Sequence, residues 1–97
     1  MDRKPVIIFA GTTEGRTISE YLASRKVPVT ACVATEYGET LLTENEYLKV
    51  HAGRMDQEEI AAFIREKGAE LVIDATHPYA AVVSENVAAA CEREQVD

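Results

Sequence analysis

The sequence has 97 residues, close to the usual size of a single domain, and 46% of them are hydrophobic, as is ordinary for a globular chain. A formal net charge of −7 argues against a nucleic-acid or anionic-membrane partner, because both require a basic face. The longest apolar stretches, at residues 5–11 and 79–83, are too short to span a membrane, and no signal peptide precedes the first strand-like run, so we expect a cytoplasmic protein.

Strand-like and helix-like segments alternate along the chain, which is typical of an α/β fold with a parallel sheet. Short runs rich in apolar and β-branched residues predict four strands, at residues 6–10, 28–34, 47–51 and 71–75. The first and last of these runs are the most continuously apolar. This pattern suits central strands that are covered by helices on both faces.

The clearest helix signals lie between the third and fourth strands, over residues 56–67. Asp56 and Glu59 have the spacing of a capping box, and Gly68 is placed to end the helix in a left-handed conformation. The predicted buried face consists of Ile60, Phe63 and Ile64.

Three further helices are predicted from weaker patterns. An apolar stripe supports a helix over residues 14–26, residues 38–43 predict a short helix, and residues 78–93 are rich in Ala and Val. Pro78 suits the first turn of the last of these helices. Val96 stands where the next strand of an alternating fold would begin.

Right-handed crossovers and short connections favour the strand order 3-2-1-4. We therefore expect one domain over residues 1–97, with a Rossmann-like three-layer α/β fold and a four-stranded parallel sheet. The first and fourth strands are neighbours in this order, and the crevice above their carboxyl ends is the expected ligand site. The outer edge of the fourth strand would be unprotected, which predicts a homo-oligomer formed through that edge.

The first candidate site is the turn between the first strand and the first helix, Ala-Gly-Thr-Thr-Glu-Gly-Arg at residues 10–16. Gly11 and Gly15 would let the backbone turn tightly and let a pyrophosphate approach the N-terminus of the helix. The hydroxyls and the cation that could hold phosphate belong to Thr12, Thr13 and Arg16. The G-x-x-x-G spacing matches neither the dinucleotide fingerprint nor the P-loop, so the alternative that these glycines serve only a tight turn and close helix packing stays open.

The choice between NADH and NADPH depends on the ends of the second and third strands. Thr35 suits either dinucleotide, Glu36 would oppose a 2′-phosphate, and Arg54 would favour one. The sequence leaves both cofactors possible.

The second candidate site begins in the fourth strand, with Asp-Ala-Thr-His-Pro-Tyr-Ala at residues 74–80. Polar groups at the carboxyl end of a strand are well placed to meet a ligand, and His77 has a proton affinity near neutral pH. Thr76 and Tyr79 could add hydrogen bonds to the same ligand. The alternative is a turn in which Asp74 or Thr76 caps the last helix, Pro78 starts it and His77 is a surface residue.

Other residues that often mark functional sites have ordinary interpretations here. Cys32 and Cys91 lie in apolar surroundings without Cys or His at metal-ligand spacing, so we expect reduced, packed thiols and no metal site. His51, at the end of the third strand, is expected to be exposed or packed rather than functional.

The two candidate sites together carry a family resemblance. G-T-T-E-G-R after a strand, G-R-M-D before a helix and D-A-T-H-P-Y-A resemble the amino-terminal half of the precorrin-6A reductases, including the cobalt-precorrin-6A reductases. Ala10 stands where that family often has a further glycine. The resemblance implies that Thr76, His77 and Tyr79 lie beside the reacting ring, with His77 and Tyr79 as catalytic candidates. The cofactor-binding set that combines this resemblance with the strand-end reasoning is Gly11, Thr12, Thr13, Gly15, Arg16, Thr35, Arg54 and Thr76.

The function implied by this resemblance is the NAD(P)H-dependent reduction of precorrin-6A, or its cobalt form, to precorrin-6B in cobalamin biosynthesis. The cofactor would be NADPH or NADH, and the substrate a tetrapyrrole. Members of this family have two α/β domains, so the resemblance implies that residues 1–97 are the N-terminal half of an oxidoreductase and are inactive alone.

Two other functions stay open at this point. The first is an isolated dinucleotide-binding module, or an inactive fragment, without catalysis. The second is another Rossmann-type enzyme, such as a nucleotide-sugar epimerase or a short-chain dehydrogenase. That second class would be marked by a Tyr-x-x-x-Lys pair, but Tyr79 is followed four residues later by Val83, and Tyr21 by Arg25.

Overall fold

The structure, a computed structural model, describes residues 4–10, 13–33, 44–53, 55–75 and 81–96. The elements in chain order are β1 (Val6–Ala10), α1 (Thr13–Ser24), β2 (Val29–Val33), β3 (Leu48–Ala52), α2 (Gln57–Lys67), β4 (Leu71–Ala75) and α3 (Ala81–Glu94). The four predicted strands are therefore confirmed, with shifts of no more than about one residue at their ends. The short helix predicted at residues 38–43 lies outside the described residues.

The sheet has the predicted order β3-β2-β1-β4, and every described strand pair is parallel. β1 and β2 are buried along their whole length, as expected for central strands. β4 has an apolar sequence but lies at the edge of the described sheet, with Leu71 38% exposed and Asp74 also exposed. β1 is thus central, and β4 stands at the edge of the described sheet, as the predicted strand order required.

Helices cover the sheet on both of its faces. Successive side chains of β1 point to opposite faces and all of them are apolar, so each face needs a covering layer. Ile8 and Ala10 belong to the core on the α1 face, and Ile7 and Phe9 belong to the core on the face of α2 and α3. The two helices on the second face also pack against each other. These three layers confirm the predicted α/β architecture.

α2 is held by the capping residues that the sequence predicted. Asp56 accepts a hydrogen bond from the backbone N–H of Glu59 at 2.8 Å, and the Glu59 carboxylate accepts one from the backbone N–H of Asp56 at 3.2 Å. Gly68 ends the helix with φ +64°, in the left-handed region. Ile60 and Ile64 are buried at 1% and 2% exposure, so both ends and the inner face of this helix are set by its own sequence.

α1 ends at Ser24, two residues before the predicted end. Lys26 has φ +63°, and the chain leaves the helix there, with the Val27 N–H donating to the Leu22 carbonyl at 3.0 Å. Arg25 and Lys26 consequently follow the last helical residue. In the part of the chain that the structure describes, no helix is long and apolar enough to cross a membrane.

Candidate functional site

The two candidate motifs start from neighbouring points at one edge of the sheet. Ala10, the last residue of β1, is the register partner of Ala75, the last residue of β4. The glycine-containing turn follows Ala10, and residues 76–80 follow Ala75. The fold therefore joins both motifs to the sheet at its carboxyl edge, as the predicted strand order required.

Gly15 brings the start of α1 directly against this edge. A Cβ atom built on Gly15 would lie 2.8 Å from the Ala10 Cα, 3.0 Å from the Ala10 Cβ and 3.2 Å from the Ala75 Cβ. The first of these distances is far below ordinary contact between carbon atoms. Glycine is thus required here for close packing of helix against strands, which is one of the two roles left open for it by the sequence.

The fully buried positions of α1 beyond Gly15 also carry small side chains, with Ile18 and Leu22 half-buried beside them. Ser19 is 0% exposed, and its hydroxyl donates to the Gly15 carbonyl at 2.8 Å, so this buried polar group is satisfied within the helix. Ala23 is buried one turn further on. A helix with such a face lies close to the sheet, and its N-terminus carries the partial positive charge that favours anions.

Of the predicted site residues, the structure describes Thr13, Gly15 and Arg16. Thr13 is the first residue of α1, Gly15 is buried and Arg16 is half-buried. The remaining predicted site residues lie outside the described residues: Gly11, Thr12, Thr35, Arg54, Thr76, His77 and Tyr79. Their roles stay predictions.

The ends of β2 and β3 are joined by a backbone contact at the same edge. Val33 is the register partner of Ala52, and the Gly53 N–H donates to the Val33 carbonyl at 2.8 Å. Gly53 has φ +127°, a conformation that L side chains rarely adopt. Thr35 follows this pair two residues after Val33, and Arg54 follows Gly53 directly.

The residues assigned ordinary structural roles are packed as expected. The His51 ring contacts Phe63 in an edge arrangement, with 5.1 Å between ring centroids. Cys32 and Cys91 are free thiols, buried and half-buried respectively. Burial raises the pKa of the Cys32 thiol to about 12, against an opposing effect of Lys67, and it also raises the pKa of Cys91. Both thiols therefore stay protonated and poorly nucleophilic at neutral pH.

A groove of about 450 Å³, which the sequence did not predict, lies at the opposite edge of the sheet. It is formed by the C-terminal half of α1 and the residues before β3, including Glu20, Asn45, Glu46 and Tyr47. Asn45 uses its side-chain oxygen to accept hydrogen bonds from the Tyr47 and Leu48 backbone N–H groups. The described side chains that line the groove include two carboxylates and no cation, so this surface is a poor match for phosphate.

The all-parallel sheet of order 3-2-1-4, with helices on both faces and a glycine packed where α1 meets β1 and β4, defines a Rossmann-like α/β domain. Within this class the chain belongs to the family described as precorrin-6x reductase CbiJ/CobK, whose sequence profile matches residues 5–97.

Curated relatives carry names that agree with this assignment. The chain is 35% identical over 92 residues to the cobalt-precorrin-6A reductase of Salmonella typhimurium, covering 95% of this chain and 35% of that protein. It is 34% identical to the enzyme of the same name from Methanothermobacter thermautotrophicus, covering 93% of this chain and 30% of that protein. The chain thus spans about a third of the length of these relatives.

Two solved structures share the fold. The structure of the CobK precorrin-6A reductase superposes with a TM-score of 0.79 at 29% identity, over 99% of this chain and 37% of that chain. A Bacteroides thetaiotaomicron protein provisionally named an epimerase gives a TM-score of 0.76 at 27% identity, over 100% of this chain and 45% of that chain. The fold is therefore shared with a protein named for a different reaction, and the family assignment comes from the sequence profile.

Proposed function

We propose that residues 1–97 form the dinucleotide-binding domain of an NAD(P)H-dependent reductase that converts precorrin-6A, or its cobalt form, to precorrin-6B in cobalamin biosynthesis. The observation that carries this proposal is the register pairing of Ala10 with Ala75, with the backbone of Gly15 packed against both. This contact gives the glycine turn and the segment after β4 adjacent starting points, so one bound dinucleotide can contact both motifs. The names of the relatives supply the reaction and the substrate class.

The residues present suit a dinucleotide. The bare backbone of Gly15 lets the N-terminus of α1 approach the carboxyl edge of two strands, where a pyrophosphate would gain from the helix dipole. Arg16, in the same turn, supplies a positive charge in a chain whose net charge is −7. In this proposal the phosphate-binding residues are Gly11, Thr12, Thr13, Gly15 and Arg16.

When bound, the reduced nicotinamide supplies a hydride to one carbon of a conjugated double bond in the macrocycle, and a proton completes the reduction. The chain's part is to hold the two reactants in register and to place a proton donor. His77 and Tyr79 are the proposed catalytic residues, because both follow β4 within a few residues of Ala75. Thr76, which precedes them, would contact the cofactor.

The choice of dinucleotide can be tested at the ends of β2 and β3. Thr35 would contact the ribose of either form, whereas Arg54 would pair with a 2′-phosphate. If the enzyme uses NADPH, Arg54→Ala should raise the Kd for NADPH by about tenfold and leave that for NADH unchanged. Equal changes in the Kd values for NADPH and NADH would show that Arg54 does not discriminate between the two dinucleotides.

We further propose that this chain is the first domain of a two-domain enzyme, since the relatives it matches are about three times as long. Precorrins carry many carboxylates, and a domain with a net charge of −7 is poorly suited to bind them alone. The rest of the polypeptide would supply most of the substrate contacts, and the enzyme would act in the cytoplasm, where reduced dinucleotides are available.

Self-association through β4 is also proposed. In the described sheet β4 pairs only with β1, so its outer edge is open to a further strand beside the exposed side chain of Leu71. The isolated chain should therefore form a dimer or higher oligomer at high concentration. A monomer by sedimentation analysis at millimolar concentration would remove this part of the proposal.

The catalytic part is tested in the full-length enzyme of the source gene, with precorrin-6A and NADPH. His77→Ala should lower kcat by about a hundredfold while changing the Kd for NADPH by less than about threefold. His51→Ala is the matched control, because His51 lies on β3 and packs against Phe63, with β2 and β1 between that strand and β4, and it should leave kcat unchanged.

Tyr79→Phe keeps the aromatic ring of Tyr79 and removes its hydroxyl, so it tests the hydroxyl alone. Tyr21→Phe is its control. Tyr21 is 59% exposed on α1, and its hydroxyl should be irrelevant to the reaction.

A wild-type enzyme that binds NADPH but does not reduce precorrin-6A would favour a binding module without catalysis. Unchanged turnover in His77→Ala would reduce His77 to a turn residue.

A further inference from the structure

Ala75 lies where the two halves of the proposed site meet. It is the last residue of β4, the register partner of Ala10 and the residue from which the segment 76–80 continues. Its methyl group is half-buried and packs against the core on the α1 face. Sequence patterns gave no reason to single it out, because an alanine at the end of a strand is common.

The packing of α1 limits which residues can stand at position 75. An atom bonded to the Cα of Gly15 would be 3.2 Å from the Ala75 Cβ, so the helix backbone already lies against the methyl group. A valine at position 75 would add two carbons to that Cβ, and branching restricts its χ1, so the side chain has little freedom to turn both carbons away from Gly15. The first turn of α1 would then have to move away from β4.

We propose that Ala75 is a positioning residue whose methyl group sets the distance between the N-terminal turn of α1 and the carboxyl end of β4. The consequence for ligand binding rests on the proposed function, which places the pyrophosphate at the N-terminus of α1. An anion held there depends on the position of that turn. A larger residue at position 75 therefore weakens dinucleotide binding by displacing the turn.

The test compares Ala75→Val with two matched variants in the full 97-residue chain. Ala75→Ser adds one small atom that can rotate away from Gly15, so this variant should behave as wild type. Ala31→Val makes the same chemical change at a 0% exposed position in the middle of β2, within the same core. It should destabilise the domain without acting on the first turn of α1 in particular.

The first readout is amide hydrogen exchange along α1, which does not depend on any ligand. Ala75→Val should accelerate exchange in the first turn of α1 by at least about tenfold relative to its last turn, since the valine would displace only the neighbouring turn. Ala31→Val should change the two turns alike. If Ala75→Val fails to fold, Ala75→Gly, which removes the methyl group that lies against Gly15, should accelerate exchange in the same turn at smaller amplitude.

The second readout is the Kd for NADPH, measured by fluorescence titration of the folded proteins. Ala75→Val should raise it by at least about fivefold, and both Ala75→Ser and Ala31→Val should keep it within about twofold of wild type. Unchanged exchange in the first turn of α1 in Ala75→Val, or an equal change in Ala31→Val, overturns the role of Ala75. Failure of the wild-type chain to bind either NADPH or NADH would instead count against the proposed function, and the exchange pattern would still decide the positioning role.

Discussion

α1 and α2 lie on opposite faces of the same sheet and are held there in different ways. The buried positions of α1 include three small residues spaced one turn apart, Gly15, Ser19 and Ala23. The buried positions of α2 are Ile60, Ala61 and Ile64. At its fully buried positions α1 is fixed by the close approach of its backbone to the strands, with Ile18 and Leu22 half-buried beside them, whereas α2 buries branched side chains completely.

The difference separates stability from position. Burying a large aliphatic side chain contributes about 1.5–3 kcal/mol, but it leaves the helix backbone some distance from the sheet. A helix with a small inner face gains less from burial, but backbone packing fixes the position of its N-terminus closely. The proposed ligand site lies at the N-terminus of α1, where the position of the helix backbone decides whether a ligand fits. The sequence of α2 contributes mainly to the free energy of folding.

The largest expected effect is on the α2 side. Ile60 is 1% exposed in the core between the sheet, α2 and α3, so Ile60→Ala should lower the free energy of unfolding by about 3 kcal/mol. Urea unfolding measures this change, with Glu66→Ala on the exposed face of α2 as a control expected to stay within about 0.5 kcal/mol. The Kd for NADPH should be unchanged in the folded fraction. A large change in that Kd would contradict the separation of stability from position.

Gly15→Ala sharpens the comparison, because the expected sign is opposite to that of an ordinary helix. Replacing glycine by alanine inside a helix normally stabilises it by about 1 kcal/mol. Here the new methyl group would meet the backbone of Ala10 at 2.8 Å, so we expect a loss of about 2 kcal/mol together with weaker NADPH binding.

Thermal and urea unfolding of Gly15→Ala should be compared with Glu20→Ala, at an exposed position of the same helix. Stabilisation by Gly15→Ala would show that α1 lies further from β1 and β4 than the 2.8 Å approach to Ala10 implies.

A third prediction concerns the pH dependence of stability on the α2 face. Burial raises the pKa of Cys32 from 9.0 to about 12, so its thiol ionises more readily in the unfolded chain. The resulting stabilisation is fully present below pH 9 and is lost as the pH rises from 9 toward 12. Between pH 8 and 10, the wild-type protein should lose about 1.4 kcal/mol more than Cys32→Ala. Parallel pH profiles for the two proteins would mean that water reaches the Cys32 thiol in the folded state.

The smallest effect is expected at the N-terminal cap of α2. Asp56→Ala removes the acceptor of the Glu59 N–H and should lower the free energy of unfolding by about 1 kcal/mol. Asp56→Asn keeps an acceptor oxygen and should recover most of this loss. Equal losses in both variants would indicate that the charge of Asp56, rather than its hydrogen bond, stabilises the helix.

The parts of the fold predicted from the sequence are those fixed by local rules. The cap at Asp56, the left-handed end at Gly68 and the alternating strands each follow from a few neighbouring residues, and the handedness of crossovers then determines the strand order. The edge position of β4 followed from that order, because an apolar run alone does not show whether a strand has one neighbour or two.

The packing that orders the candidate site was not predictable in the same way. Gly15 was singled out as a site residue, but its approach to Ala75 joins residues 60 positions apart in the chain and depends on the register of β4 against β1. Ala75 belongs to the second motif but was not a predicted site residue, since its proposed role depends on the absence of a side chain on Gly15. The groove beside Glu20 and Tyr47 was likewise invisible, because it forms from two segments that are distant in sequence.

Binding of a reduced dinucleotide at the carboxyl edge of β1 and β4 is the central proposal. The most direct test is a titration of the ¹⁵N-labelled 97-residue chain with NADPH and NADH, followed by backbone amide NMR. We predict saturable binding of at least one dinucleotide, with the largest amide shifts in residues 11–16 and 76–80. No binding of either dinucleotide, or shifts centred on Glu20, Asn45 and Tyr47 at the opposite edge, would contradict it.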